Sequence, residues 1–372
     1  MCTDSQTSPG QWTRREFVRG AAALVAVPHL APRLIDSRQF AYVASEDDSL
    51  RIFSVQGGKW TQIQHVSSLA PACVLLSPNQ NVLYVSNAVA THERLPRGTL
   101  ETFLIDANDG HLTLASRTAL SLSATEPRHM AISPDGKLLA VAAYSGGVYN
   151  LLPIASDGIP GPAQSIFKET GCGTHAQLQT SAHPHTLIFD RTGRRLFSSD
   201  LGSDRLSIFT VEDGRLQRMT LRATAEGSGP GACLLHPTAS VLYAWHELES
   251  TLTSYRYDGA SIGEEMQRFY LPETWRGSLA LHPSGRALYT AQATFRAWRV
   301  DGGGRLSLKQ EISLGETKQV VAAPDGESVY TLGGLGGSIR EMRTDRETGE
   351  LKGQTRVAEV NQPRSLVFKT IS

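Results

Sequence analysis

Cysteine is scarce: four in 372 residues, which excludes a fold held by a disulfide framework. Charge of one sign is not in excess. Lys plus Arg and Asp plus Glu both total 36, so the formal net charge is zero, and the basic surplus of a nucleic-acid binder is missing. Long apolar runs are absent too. No stretch approaches the roughly 18 continuous apolar residues of a membrane-spanning helix. The usual catalytic signatures are likewise missing. His92-Glu93 and His246-Glu247 do not continue into the H-E-x-x-H helix of a zinc protease. Gly227 to Gly231 lacks the Lys-Ser/Thr of a phosphate-binding loop, and no G-x-S-x-G elbow occurs. What remains is a chain with 40% hydrophobic residues, enough for a sizeable core, and with 34 Gly and 18 Pro dispersed among many turns.

The first residues read as an address rather than as fold. Arg14-Arg15 stands ahead of Phe17 and a weakly apolar run from Ala21 to Val27, which Pro28 ends. That order matches a twin-arginine export signal, expected over residues 1–31 with a linker over 32–38. It predicts a periplasmic or secreted protein with no stable membrane insertion once the signal is removed. Losing the signal removes Cys2 and leaves Cys73, Cys172 and Cys233, an odd number.

From residue 39 to 372 one unit recurs. An apolar strand, a Pro-Asp-Gly-like turn and a second apolar strand appear at Ala72 to Val85 and at Arg128 to Val141. The pair returns at His185 to Phe197, Cys233 to Tyr243, Ser278 to Tyr289 and Val320 to Tyr330, with a spacing of roughly 41 to 57 residues. A third alternating strand follows, then a turn such as Asp109-Gly110, Asp157-Gly158, Asp213-Gly214, Asp258-Gly259, Gly302-Gly303 or Thr348-Gly349, then a fourth strand. The last unit is divided. Pro363 to Phe368 reads as a first strand and Phe40 to Ala44 as a second, so joining the chain ends completes a blade and removes two open sheet edges. The prediction is an all-β, seven-bladed β-propeller of four-stranded blades, its functional face at the loops entering the first strands and leaving the second.

At that face the sequence resembles the seven-bladed lactonase family, which includes bacterial 6-phosphogluconolactonases and fungal carboxymuconate cyclases. The resemblance covers nearly the whole chain after the signal. It rests on His183-Pro184-His185 with Asp200-Leu201-Gly202-Ser203-Asp204-Arg205. It rests also on Gly227 to Pro230 with His236-Pro237 and Glu247-Leu248, and on Pro127, His129 and Tyr144 to Gly147. Lactone hydrolysis needs a group that takes a proton from water and a donor for the oxyanion. The resemblance implies His185 and Glu247 as the acid–base pair, with His183 beside them. It places His129, Tyr144, Asp200 and Lys318 toward the substrate, a small lactone. No metal or organic cofactor is expected, and a monomer is.

Several family arginines are replaced: Gly231 with Ala232, Gln292 with Ala293, Lys318-Gln319 in place of a Pro-Arg pair, and Leu178. Arginines of this kind hold carboxylates or phosphates through paired contacts. Their loss points to an uncharged lactone, or to a non-catalytic propeller that binds a small ligand or peptide at the same face. A cyclase running the same chemistry in reverse is a further alternative.

Overall fold

The computed structural model describes residues 39–370, apart from 273–276 and 334–336. The export segment and linker expected over residues 1–38 lie outside the described residues.

The alternation seen in the sequence becomes 28 strands in seven four-stranded antiparallel sheets. We number them in chain order. Blade 1 uses β28 (Pro363–Thr370), β1 (Gln39–Ser45), β2 (Ser49–Gln56) and β3 (Lys59–Ser67), from the inside outward. Blade 2 runs β4 (Pro71–Leu76) to β7 (Leu112–Ala119), blade 3 from β8 (Pro127–Ile132) to β11 (Ser165–Lys168), and blade 4 from β12 (Pro184–Phe189) to β15 (Arg215–Ala223). Blade 5 runs β16 (Pro230–Leu235) to β19 (Ile262–Tyr270), blade 6 from β20 (Ser278–Leu281) to β23 (Leu306–Ser313), and blade 7 from β24 (Thr317–Ala322) to β27 (Leu351–Glu359). Each innermost strand touches the next, round to β28 against β4. The ring is closed, and β1 pairs with β28 from Gln39–Thr370 to Ser45–Pro363, as the divided repeat predicts.

Apolar side chains on both faces of each second strand are buried, because every blade is covered by a blade on either side. In β1, Phe40, Tyr42 and Ala44 pack toward blade 2, and Ala41 and Val43 toward blade 7. Outermost strands instead mix partly buried and exposed residues.

Two sets of hydrogen bonds fasten neighbouring blades. At the rim of the third-to-fourth-strand turns, a second-strand tyrosine donates to a glycine carbonyl of the following blade: Tyr42 to Gly110, Tyr84 to Gly158, Tyr243 to Gly304 and Tyr289 to Gly349, at 2.5–3.1 Å. The Asp-Gly-like turns thus serve as docking points as well as reversals. In the Gly302-Gly303 turn the positive φ falls on Gly304 instead. The second set is on the innermost strands. Ser365, His129, Ser278 and Gln319 each accept a backbone N–H of the next blade's innermost strand, from Val74, Leu187, Val320 and Leu366, at 2.9–3.2 Å.

Cys73, Cys172 and Cys233 are all free thiols. Cys73 pairs with Ser86 and Cys233 with Ala244, so they stand one register step apart in their blades. Burial pushes their thiols up to about 11 and about 12, the behaviour of core residues rather than nucleophiles.

Deleting Pro363 to Ser372 removes the strand that joins β1 to β24 and β4. The truncated protein is expected to unfold at a markedly lower temperature and to associate through its bared edges. An unchanged midpoint, with monomeric behaviour by light scattering, would contradict closure as the source of stability.

Candidate active site

The site is set by a repeated irregularity. In blades 2, 3, 4, 7 and 1 the innermost strand carries one extra residue at its second position, left out of the ladder: Ala72, Arg128, His185, Lys318 and Arg364. In blade 5, Gly231 and Ala232 together oppose Trp245. Such bulges turn a side chain out of the sheet pattern. Here they place His185, Arg128, Lys318 and Arg364 in equivalent slots around the channel mouth, all half-buried. This register corrects the expectation that Gln319 replaces a family arginine. Lys318 stands in the bulge slot, and Gln319 is the blade fastener beside it. Sequence reasoning passed over Arg128 and Arg364, although both follow a proline at a strand start, as His185 does.

The residue after each second strand occupies a matching slot. Glu46, Tyr144, Leu201 and Glu247 each bond through their backbone N–H to the carbonyl one residue before the innermost strand: Gln362, Glu126, His183 and Gly229. Glu247 is thereby aimed at the preceding blade. Its Oε1 lies 3.1 Å from His185 Nε2, with the carboxylate 8% and the imidazole 29% exposed. His185 Nδ1 faces Thr186 Oγ1 at 3.3 Å, and that hydroxyl donates to the Gly231 carbonyl at 3.2 Å. Both ring nitrogens of His185 thus face oxygens.

Gly231 explains how Glu247 fits. A Cβ there would lie 2.3 Å from Glu247 Oε1 and 2.7 Å from its Cδ. With no side chain at this position, the carboxylate fills the volume.

His183 stacks flat on Tyr144 at 4.6 Å, and its Nδ1 reaches the Tyr144 carbonyl at 3.1 Å. A carbonyl only accepts, so Nδ1 carries the proton and Nε2 is left as the basic nitrogen. The Arg128 guanidinium lies 4.0 Å from the centre of the Tyr144 ring, and its Nη2 meets Glu126 at 2.7 Å. Tyr144 also meets the His185 ring edge at 6.1 Å. Five predicted or newly found residues therefore form one connected cluster: Arg128, Tyr144, His183, His185 and Glu247.

Two predicted substrate residues take other places. Asp200 is 1% exposed; its Oδ1 accepts the backbone N–H groups of His183 and Ser203 at 2.8 and 3.0 Å. Burial raises its carboxyl above the ordinary range. It positions His183 from beneath and does not face the mouth. The tight turn above it needs Gly202, where a Cβ would lie 1.9 Å from the Ser181 carbonyl. Asp204 acts similarly, accepting from Gly227 and Gly229 at 2.8 Å and so fixing the loop ahead of Gly231. His129 spends Nδ1 on the Leu187 N–H, one of the four blade fasteners. Lys318 is at the mouth but is met by Glu46, which Arg364 Nε also reaches at 3.0 Å.

A separate groove of about 620 Å³ lies at the opposite rim, between Ser77–Asn81 and Asp135–Gly158, away from all of these residues. Among the described residues no group of three His, Cys, Asp or Glu side chains is arranged to hold a metal ion. No helix there is long and apolar enough to cross a membrane.

A closed ring of seven four-stranded blades with a histidine–carboxylate pair at its mouth defines a class, and the comparisons with known proteins agree with it. Residues 41–368 match the family model described as "Lactonase, 7-bladed beta-propeller", and the chain belongs to that family. It is 26% identical over 341 residues to a 6-phosphogluconolactonase of Formosa agariphila, covering 86% of this chain and 94% of that protein. Identity to a 6-phosphogluconolactonase of Pectobacterium carotovorum is 26% over 342 residues, covering 86% and 96%. The fold is similar to that of a periplasmic gluconolactonase of Pseudomonas aeruginosa, with a TM-score of 0.78, 22% identity, and 90% and 99% of the two chains covered.

Burial lowers the His129 imidazole to about 4, assisted by the nearby His185, and lowers His246 to about 3. Unfolded histidines near 6.5 bind protons that these folded ones refuse, so stability falls as pH drops from about 6.5 toward 4. His129→Gln keeps an acceptor for Leu187, as Gln319 does for Leu366, and removes one such proton. The variant is expected to lose about 3 kcal/mol less than the parent over that window. Urea unfolding at pH 7 and pH 4.5 checks this; equal losses in both proteins would refute the assignment.

Proposed function

We propose that the protein is an exported lactonase that opens an uncharged sugar lactone at the channel mouth, with His185 and Glu247 as its acid–base pair. The observation that carries this reading is the 3.1 Å contact between His185 Nε2 and the Glu247 carboxylate on a bulge facing the mouth. Family membership supplies the reaction class. The 6-phosphogluconolactonase relatives and the gluconolactonase with the same fold support a sugar lactone as substrate.

The pair takes a proton from a water molecule as its oxygen attacks the lactone carbonyl. The negative charge then grows on the carbonyl oxygen. Arg128, in the bulge slot next to that of His185, is the cation available to it. When the ring C–O bond breaks, the pair returns the proton to the departing ring oxygen, which becomes a hydroxyl. The product is the open hydroxy acid. Asp200 and Asp204 hold the backbone on both sides of this pair, so the geometry exists before substrate arrives.

Charge balance favours an uncharged substrate. Arg128 is met by Glu126, Lys318 and Arg364 share Glu46, and His185 is met by Glu247. Each of the three mouth cations is met by a carboxylate, which weakens its pull on a phosphate. Export, motivated by Arg14-Arg15, agrees with this choice, because sugar phosphates are cytosolic.

Two experiments test the reading. The mature protein is expected to hydrolyse gluconolactone at least about tenfold better than 6-phosphogluconolactone in kcat/KM, a difference of about 1.4 kcal/mol. Glu247→Gln should lower kcat by roughly 10² or more, the usual worth of a positioned acid–base group. Gly231→Ala should also lower it, by pushing Glu247 off His185. A preference for the phosphorylated lactone would defeat the substrate assignment. Full activity in Glu247→Gln would defeat the catalytic pair and leave the face as a binding surface.

Export is tested separately. With Arg14→Lys and Arg15→Lys together, the precursor is expected to accumulate in the cytoplasm. Unchanged periplasmic delivery, followed by fractionation, would remove that part of the proposal.

A further inference from the structure

Glu46 and Glu247 hold the same position in their blades. Each follows a second strand, and each is held by a backbone N–H bond to the carbonyl ahead of the innermost strand. Each sends its carboxylate to the bulge residue of the preceding blade: Glu247 to His185 and Glu46 to Lys318. They differ in their own blade. Beside Glu247 the bulge slot holds Gly231; beside Glu46 it holds Arg364.

One oxygen of Glu46, Oε1, therefore sits between two cations, the Lys318 ammonium and Arg364 Nε at 3.0 Å. All three side chains remain open to solvent, at 27%, 29% and 36% exposure. Burial alone would raise the Glu46 carboxyl. The hydrogen bonds and charges of Lys318 and Arg364 outweigh it and hold the group below the ordinary carboxylate range. The anion is therefore present throughout the neutral range.

An ammonium and a guanidinium converging on one oxygen at a channel mouth make a seat for an anionic group. Here the seat is already taken by a carboxylate of the chain itself. The seat lies at blades 7 and 1, while the His185–Glu247 pair lies at blades 4 and 5, so the two stand on different sides of one mouth.

We infer that Glu46 is a specificity-determining residue. It acts as a built-in anion that occupies the Lys318–Arg364 seat and so rejects substrates with a phosphate or carboxylate at the end away from the lactone. The inference rests on the lactonase reading of the same mouth for its substrate, but not for the existence of the seat.

The test uses the full mature chain with Glu46→Gln, a change that keeps the shape and removes the charge. Titration calorimetry with inorganic phosphate reads the seat directly. Parent protein should show no binding in the millimolar range, and the variant should bind at least about tenfold more tightly. Substituting Lys318→Met and Arg364→Met in the variant should abolish that gain. In kinetics, the kcat/KM ratio of 6-phosphogluconolactone to gluconolactone should rise at least about tenfold in Glu46→Gln.

Glu46→Asp, one methylene shorter, should give a smaller gain in the same direction and serves as the second folded variant. Phosphate affinity unchanged in both variants overturns the inference. So does a chain that folds only with Glu46 intact, since the contact would then be a structural clasp between β24 and β28. A phosphate gain without any lactone hydrolysis in either protein would sustain the seat and refute the proposed reaction. Hydrolysis with an unchanged ratio and no phosphate gain would do the reverse.

Discussion

The bulge at the second position of the innermost strand is the constraint on which this molecule's chemistry depends. A regular strand would send alternate side chains into the two neighbouring blades, where they would be buried among apolar groups. One extra residue per strand breaks that alternation and frees a side chain for the channel mouth. In blades 1, 3 and 7 the residue after the bulge, Ser365, His129 or Gln319, accepts a backbone N–H of the next blade. Each bulge thus does two things at once: it exposes a functional side chain and fastens the ring. The functional rim and the stability of the ring are consequently not independent.

The ring also decides which groups can meet. Residues in equivalent slots one blade apart are neighbours in space whatever their separation in sequence. Glu247 reaches His185 across one blade boundary, and Glu46 reaches Lys318 across the boundary between blades 7 and 1. The second pair exists only because β28 joins β1. A carboxylate in the slot after the second strand meets whatever the neighbouring bulges present. Opposite a histidine and a glycine it meets an imidazole; opposite a lysine and an arginine it meets two cations.

The architecture was legible because its signals are local and recur. Pro-Asp-Gly-like turns, apolar strand pairs and the divided repeat at Phe40–Ala44 and Pro363–Phe368 each follow from backbone needs that a few residues satisfy. His183, His185, Tyr144 and Glu247 were legible from motif resemblance, and the structure gathers them. Register was not. A bulge adds one residue without changing the apolar pattern after it, so counting from the pattern placed Gln319, rather than Lys318, in the arginine slot. Asp200 and His129 carry a related ambiguity. A carboxylate or imidazole beside a site reads the same in sequence whether it faces the channel or holds the backbone under it. Only the bonds to His183 N and Leu187 N decide. Glu46 had no signal at all, since its partners lie 272 and 318 residues away.

Loss of an arginine need not empty a site; it can change the chemistry available there. At position 231 the glycine supplies volume, and the Glu247 carboxylate fills it. A side chain there would displace the carboxylate. Its absence leaves the imidazole as the group reaching Glu247 Oε1, and a histidine, unlike an arginine, exchanges its proton at neutral pH. The substitutions that weaken a clamp for anions are thus compatible with a working proton-transfer pair. The charge balance of the mouth follows from the same geometry. Each remaining cation lies within reach of a carboxylate fixed by the slots of its own or the next blade, so its field is spent inside the protein before a ligand arrives.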